Sequence, residues 1–175
     1  MKAKHIHCEI PIRTTSDRMW KILSQYGDVS KFHAGVVESH RVDGSENTAS
    51  LGCERVCNIV DMGLNITLKE RIVEYDDGKS YQYEVYEWKN FPIQKMLFRF
   101  TILSSTPTHT TLAIDFEYKA KPAVLTPLIA GKMRRLAHDV LLGYKHFTET
   151  GETRIPIKQL KKRYQDLDLL EAQYG

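Results

Sequence analysis

The chain has 175 residues, 42% apolar and 27% charged, with a net charge of +3 and three cysteines. That length suits one domain able to bury a core without staples, and a small, dispersed positive charge excludes a nucleic-acid surface, which needs a concentrated basic stripe. No apolar run reaches the roughly 18 residues of a membrane span, no signal-peptide stretch follows Met1, and the odd cysteine count reads as reduced core thiols in a cytoplasmic setting.

Residues 4 to 12 alternate, with Ile6, Cys8, Ile10 and Ile12 on one face and His5, His7 and Glu9 on the other, which predicts a half-buried strand. Thr14 to Asp17 supply N-cap candidates for a short helix carrying Met19, Trp20, Ile22 and Leu23, and Gly27 is placed to end it. A second helical turn is expected from Asp28 to His33. From Val36 to Lys119 the period switches to two. Strands are predicted near 36–43, 52–60, 64–75, 80–88, 94–104 and 109–119, separated by turn chemistry such as Asp43–Asn47, Asp61-Met62-Gly63 and Asp76-Asp77-Gly78. Such short connections favour an antiparallel meander.

Lys121-Pro122 closes the meander, and residues 123–149 are predicted to form one long helix. Leu125, Leu128, Ile129, Met133, Leu136, Val140, Tyr144 and Phe147 make its apolar stripe, and Gly151 ends it. Residues 156–173 read as a separate charged helix with a thin apolar stripe, able to dock on its own domain, mediate a dimer or lie loose. The expected organisation is a domain over 1–151 followed by a charged helical extension over 152–175. A bent antiparallel sheet exposes a concave apolar face, which the long helix alone is large enough to cover. Volume left between helix and sheet is a pocket.

The run Ile10-Pro11-Ile12 to Leu23, the segment Phe32-His33-Ala34-Gly35-Val36-Val37-Glu38-Ser39, the run Gly52-Cys53-Glu54-Arg55, the stretch Leu68 to Asp77 and the Tyr81-Gln82-Tyr83 triplet together resemble the START-like, or SRPBCC, superfamily. Its members include polyketide cyclase/dehydrase-like proteins, pollen-allergen-like proteins and plant abscisic-acid receptors. The resemblance covers residues 4 to about 150. It implies an α+β helix-grip fold: a curved seven-stranded antiparallel sheet wrapped on a long C-terminal helix, with two short helices after the first strand. It also implies an internal hydrophobic cavity that binds lipids, hormones or polyketides, and in some members catalyses cyclisation or dehydration.

Two charges fall on inward faces. Arg55 shares a face with Cys53, Cys57 and Ile59, and Glu70 shares one with Leu64, Ile66, Leu68 and Ile72 on the next strand, within diagonal reach. Glu70 also falls where the abscisic-acid receptors carry a cavity-lining glutamate in a similar Glu-Arg run. A lone buried charge costs several kcal/mol, so the two are expected to pair, as a polar anchor for a ligand or as a structural ion pair. Tyr83 and Tyr118 are assigned inward, as hydrogen-bonding groups or as plain wall. Phe98, Phe116 and Met133 complete the candidate ligand-binding set, against the simpler reading of core packing.

The remaining signals are weak. His5-x-His7 faces outward without a third metal ligand, His33 lies near the expected pocket mouth without a partner, and Cys53 and Cys57 are spaced wrongly for zinc. No metal or cofactor is expected. Three readings stay open: binding or transport of a small hydrophobic, lipid-like or aromatic ligand; a cyclase, aromatase or dehydratase in the same cavity; or a stress or cell-envelope accessory protein whose pocket has filled in and whose surface alone matters. An arginine-held carboxylate is a poor proton donor, which favours the carrier. The expected partner is a small hydrophobic molecule, with neither nucleic acid nor an integral membrane, and with a homodimer possible.

Overall fold

The computed structural model describes residues 2–42, 48–61, 63–167 and 170–172; the predicted turn at Asp43–Asn47 and the central Met62 of the next turn lie outside them. In chain order the elements are β1 (Lys4–Ile12), α1 (Ser16–Leu23), a 3-10 segment (Tyr26–Lys31), β2 (Val36–Arg41), β3 (Glu54–Asp61), β4 (Leu64–Asp76), β5 (Ser80–Lys89), β6 (Ile93–Ser105), β7 (Thr110–Ala120), a 3-10 turn (Ala123–Leu125), α2 (Ala130–Thr150), α3 (Ile157–Arg163) and β8 (Leu170–Ala172). This is the predicted α+β helix-grip arrangement.

The sheet runs β2-β3-β4-β5-β6-β7-β1-β8, antiparallel throughout. Its seven long strands are those expected, and their two-residue period is visible in the burial of Ile66, Leu68, Glu70 and Ile72 along β4. Curvature comes from bulges. The pairing register shifts between Val36 and Glu38 in β2, between Ile72 and Glu74 in β4, opposite Lys69/Glu70 where Tyr86 of β5 is the extra residue, and twice in β6, and each extra residue bends its strand. Gly78 takes φ +75° in the β4–β5 turn, a conformation that glycine adopts without steric cost.

The short helix α1 starts where predicted, with the Thr15 side chain accepting from the Arg18 amide. It ends at Ser24 and not at Gly27, which lies inside the following 3-10 segment. The long helix begins later than the apolar stripe suggested. Pro127 has no amide hydrogen to donate, and Thr126 is tied to the end of β7: its hydroxyl accepts from the Ala120 amide and its carbonyl accepts from the Tyr118 hydroxyl. Regular helix therefore starts at Ala130. Its 21 residues span about 31 Å, and Gly151 caps it in the left-handed conformation.

The helix α2 packs over β1 and β7 and buries Met133, Ala137, Val140, Leu141 and Tyr144. It touches the 3-10 segment through Gly143, where a Cβ would sit 2.2 Å from the Phe32 carbonyl oxygen. The predicted helix over 156–173 is corrected: among the described residues of that range Ile157–Arg163 is helical, and Leu170–Ala172 pairs antiparallel with His7–Glu9 of β1. The free backbone groups of an edge strand recruit such a partner whatever the local helix propensity. Docking of α3 is intramolecular, since Leu160 is fully buried and Lys161 bonds Asp139 of α2 at 3.1 Å. All three cysteines are buried, and none of them forms a disulfide among the described residues. Among the described residues no helix is long and apolar enough to cross a membrane.

Candidate functional site

Because α2 sits over β1 and β7, the trough formed by β3 to β6 is left partly uncovered. The result is a cavity of about 510 Å³, lined by the 33–35 loop, the start of β2, β3, β4, β5, β6, α2 and α3, within the usual range of small-molecule sites. Its wall is mainly apolar, including Ile66, Leu68, Met96, Phe98, Met133 and Val140. Exposed Val37, Val60, Arg135 and Lys161 ring the opening. There Lys132 bonds Asp61 and Lys161 bonds Asp139.

One ion pair lies on the inner wall. Arg55 and Glu70 occupy directly opposite positions on β3 and β4, closer than the diagonal relation expected, and are 3% and 4% exposed. The Arg55 Nε–H donates to Glu70 Oε2 at 2.5 Å, and Nη1 donates to the Tyr26 carbonyl at 2.9 Å. The guanidinium is stacked between two rings, 4.1 Å from the Tyr26 centroid and 4.7 Å from that of Tyr83, a favourable cation–π geometry. Burial works against the arginine's charge, but the carboxylate opposite outweighs it and holds the group protonated. The Cys57 thiol also donates to Glu70 Oε2, at 3.8 Å.

Of the seven sequence candidates, Arg55, Glu70, Tyr83, Phe98 and Met133 line the cavity. Phe116 and Tyr118 do not. They sit on β7 beneath the helix, where Phe116 stacks on Phe98 with centroids 4.2 Å apart and Tyr118 spends its hydroxyl on Thr126. Their inward orientation is as predicted, but α2 fills that half of the trough. The sequence reading missed Lys132, Arg135, Asp139, Ile157 and Lys161, rim residues gathered from two helices. Among the described residues no group of three or more His, Cys, Asp or Glu is placed to hold a metal ion.

The notable polar neighbour is His33. Its Nδ1 accepts a hydrogen bond from the Gly35 amide at 3.0 Å, so the neutral ring carries its proton on Nε2. Loss of solvation, and next the positive charge of Arg55, lower its pKa to about 4. Between about pH 4 and 6.5 the unfolded chain therefore binds a proton that the folded chain refuses, and stability falls with acid in that window. A His33→Gln chain is expected to show a flatter dependence when chemical denaturation is compared at pH 4.5 and 7. The difference between the two chains separates this effect from His7, whose desolvation is outweighed by hydrogen bonds to Glu9 and Asp115 that raise its pKa. Equal slopes in the two chains would show that His33 titrates normally.

Residues 4–143 match the family described as polyketide cyclase / dehydrase and lipid transport. No curated protein matches the sequence. Solved structures of similar fold include Ara h 8.0201, at 13% identity and TM-score 0.67 over 84% of this chain and 98% of that one. A START superfamily protein from Mycobacterium smegmatis is 14% identical, with TM-score 0.61 over 94% and 99% of the two chains. Norcoclaurine synthase from Thalictrum flavum is 16% identical, with TM-score 0.58 over 79% and 91%. At these identities the likeness is one of fold.

Proposed function

Because this chain belongs to the polyketide cyclase/dehydrase and lipid-transport family, we propose that it binds a small hydrophobic molecule, lipid-like or aromatic, as a carrier or sensor without catalysis. The observation that carries this is the apolar cavity of about 510 Å³ with a buried ion pair on its inner wall. Affinity would come from apolar burial, roughly 25 cal/mol per Å², and orientation from Arg55, Glu70 and Tyr83. The exposed valines at the opening, Val37 and Val60, suit passage of a greasy ligand.

A cyclase or dehydratase needs an acid or base poised near the working pH. Here His33 is held neutral by a pKa of about 4, and Glu70 is locked to Arg55. Both arrangements favour binding over proton transfer. The binding unit is assigned to residues 1–151, with 152–175 as an extension that helps frame the opening. Three buried cysteines outside any disulfide among the described residues fit a reducing compartment such as the cytoplasm.

Met133→Trp tests the reading. The bulky ring is expected to fill the cavity, leave far-UV circular dichroism intact, and weaken binding of the neutral apolar fluorophore N-phenyl-1-naphthylamine at least about tenfold, about 1.4 kcal/mol or more. Undiminished probe binding by a folded Met133→Trp chain would place the ligand elsewhere.

A further inference from the structure

The interior of the cavity holds no surplus charge. The charges of Arg55 and Glu70 offset each other, while His33 is neutral, its Nδ1 taken by the Gly35 amide. The cations that line the space, Lys132, Arg135 and Lys161, stand at the opening, and two of them are engaged by Asp61 and Asp139. Arg55 is further committed to the Tyr26 carbonyl and to the faces of two tyrosine rings. The described hydrogen bonds of Arg55 leave from Nε and Nη1, and those from Arg55 and Cys57 to Glu70 both go to Oε2, so Oε1 is the acceptor that the pair presents to the cavity.

From this we infer that the deep end of the cavity selects a neutral hydrogen-bond donor, a phenolic or alcoholic hydroxyl donating to Glu70 Oε1, and rejects a carboxylate of the same shape. The inference rests on the carrier reading and names its ligand class. A hydroxyl given to an ionised acceptor forms a charge-assisted bond, about twice as strong as a neutral one. A second carboxylate would bring a like charge beside Glu70 where little water screens it, and two such groups do not both stay ionised. It would also lose its hydration without gaining an uncommitted cation. Tyr83, whose ring already backs Arg55, supplies an aromatic surface for the body of the ligand.

The probes are 4-octylphenol and 4-octylbenzoate, matched in length and differing in the charge of one end. At pH 8 the phenol, with a pKa of about 10, is neutral and the benzoate, at about 4, is ionised. Calorimetric titration of the wild-type chain is expected to give at least tenfold tighter binding of the phenol. The benzoate should gain affinity as pH falls from 8 to 5 while the phenol stays constant, since His33 remains neutral over that range. Glu70→Gln leaves Arg55 uncompensated and is expected to reverse the preference in favour of the benzoate. Should that variant not fold, the wild-type pH series decides alone. Equal or tighter benzoate binding at pH 8, or a folded Glu70→Gln chain that still prefers the phenol, overturns the selectivity while leaving the carrier reading intact. Binding of neither probe overturns both.

Discussion

Glu70→Leu is expected to cost about 3–5 kcal/mol of unfolding free energy, and adding Arg55→Met to it is expected to recover most of that loss. The single change leaves a guanidinium that is 3% exposed facing leucine, with its remaining described hydrogen bond to the Tyr26 carbonyl. Arg55→Met alone strands the carboxylate in the same way. With both charges gone, the pair of apolar side chains no longer carries a desolvation penalty. Recovery should stop short of complete, because the Tyr26 carbonyl then lacks its donor, a loss of about 1 kcal/mol, and the cation–π contacts with Tyr26 and Tyr83 disappear. Urea denaturation of the four chains closes the cycle, and an unchanged m value keeps the comparison valid. A Glu70→Leu cost below about 1 kcal/mol, typical of an exposed pair, would mean that the pair reaches water.

Gly143→Ala is expected to be comparably damaging, for a steric reason. The added Cβ would lie 2.2 Å from the Phe32 carbonyl oxygen and 3.3 Å from its carbon. Backbone cannot rotate away as a flexible side chain can, so α2 must withdraw from the 3-10 segment. Withdrawal breaks the packing of Phe32 on Tyr144 and Phe147, now at centroid distances of 4.7 and 5.4 Å. Overpacking of this kind costs about 3 kcal/mol, or a Tm drop of about 6–12 °C for a chain of this size. Gly131→Ala is the control. It lies on the same helix with open space where its Cβ would go, so the better helix propensity of alanine, up to about 1 kcal/mol, is the effect expected there. Similar Tm values for the Gly143→Ala and wild-type chains would contradict the tight contact.

Much of the fold was legible because it is written in local periodicity. Strands β1 to β7 follow from two-residue alternation, and Arg55 and Glu70 were put on inward faces by the same rule before any register was known. Register itself was not legible: a diagonal relation was expected where the strands place the two residues opposite each other. The start of α2 was misplaced because the apolar stripe runs back to Leu125, whereas Thr126 answers to β7 and Pro127 interrupts the amide ladder. Alternation points Phe116 and Tyr118 toward the cavity because it reports a face and says nothing of what covers it. The cationic rim was out of reach for a related reason. Lys132, Arg135 and Lys161 look like ordinary solvated positions on two helices, and their meeting at one opening is set by tertiary packing. Strand β8 has no sequence signal of its own, since three residues acquire strand geometry only from the edge of β1.

The tail changes how variation in this protein is to be understood. Ile157 and Lys161 help frame the opening, yet they lie beyond the stretch that matches the family, residues 4–143, while Arg55, Glu70 and Tyr83 lie within it. One side of the threshold is thus spelled out apart from the chamber, so substitutions at Ile157 or Lys161 can retune which molecules pass without rewriting the chemistry that greets them inside.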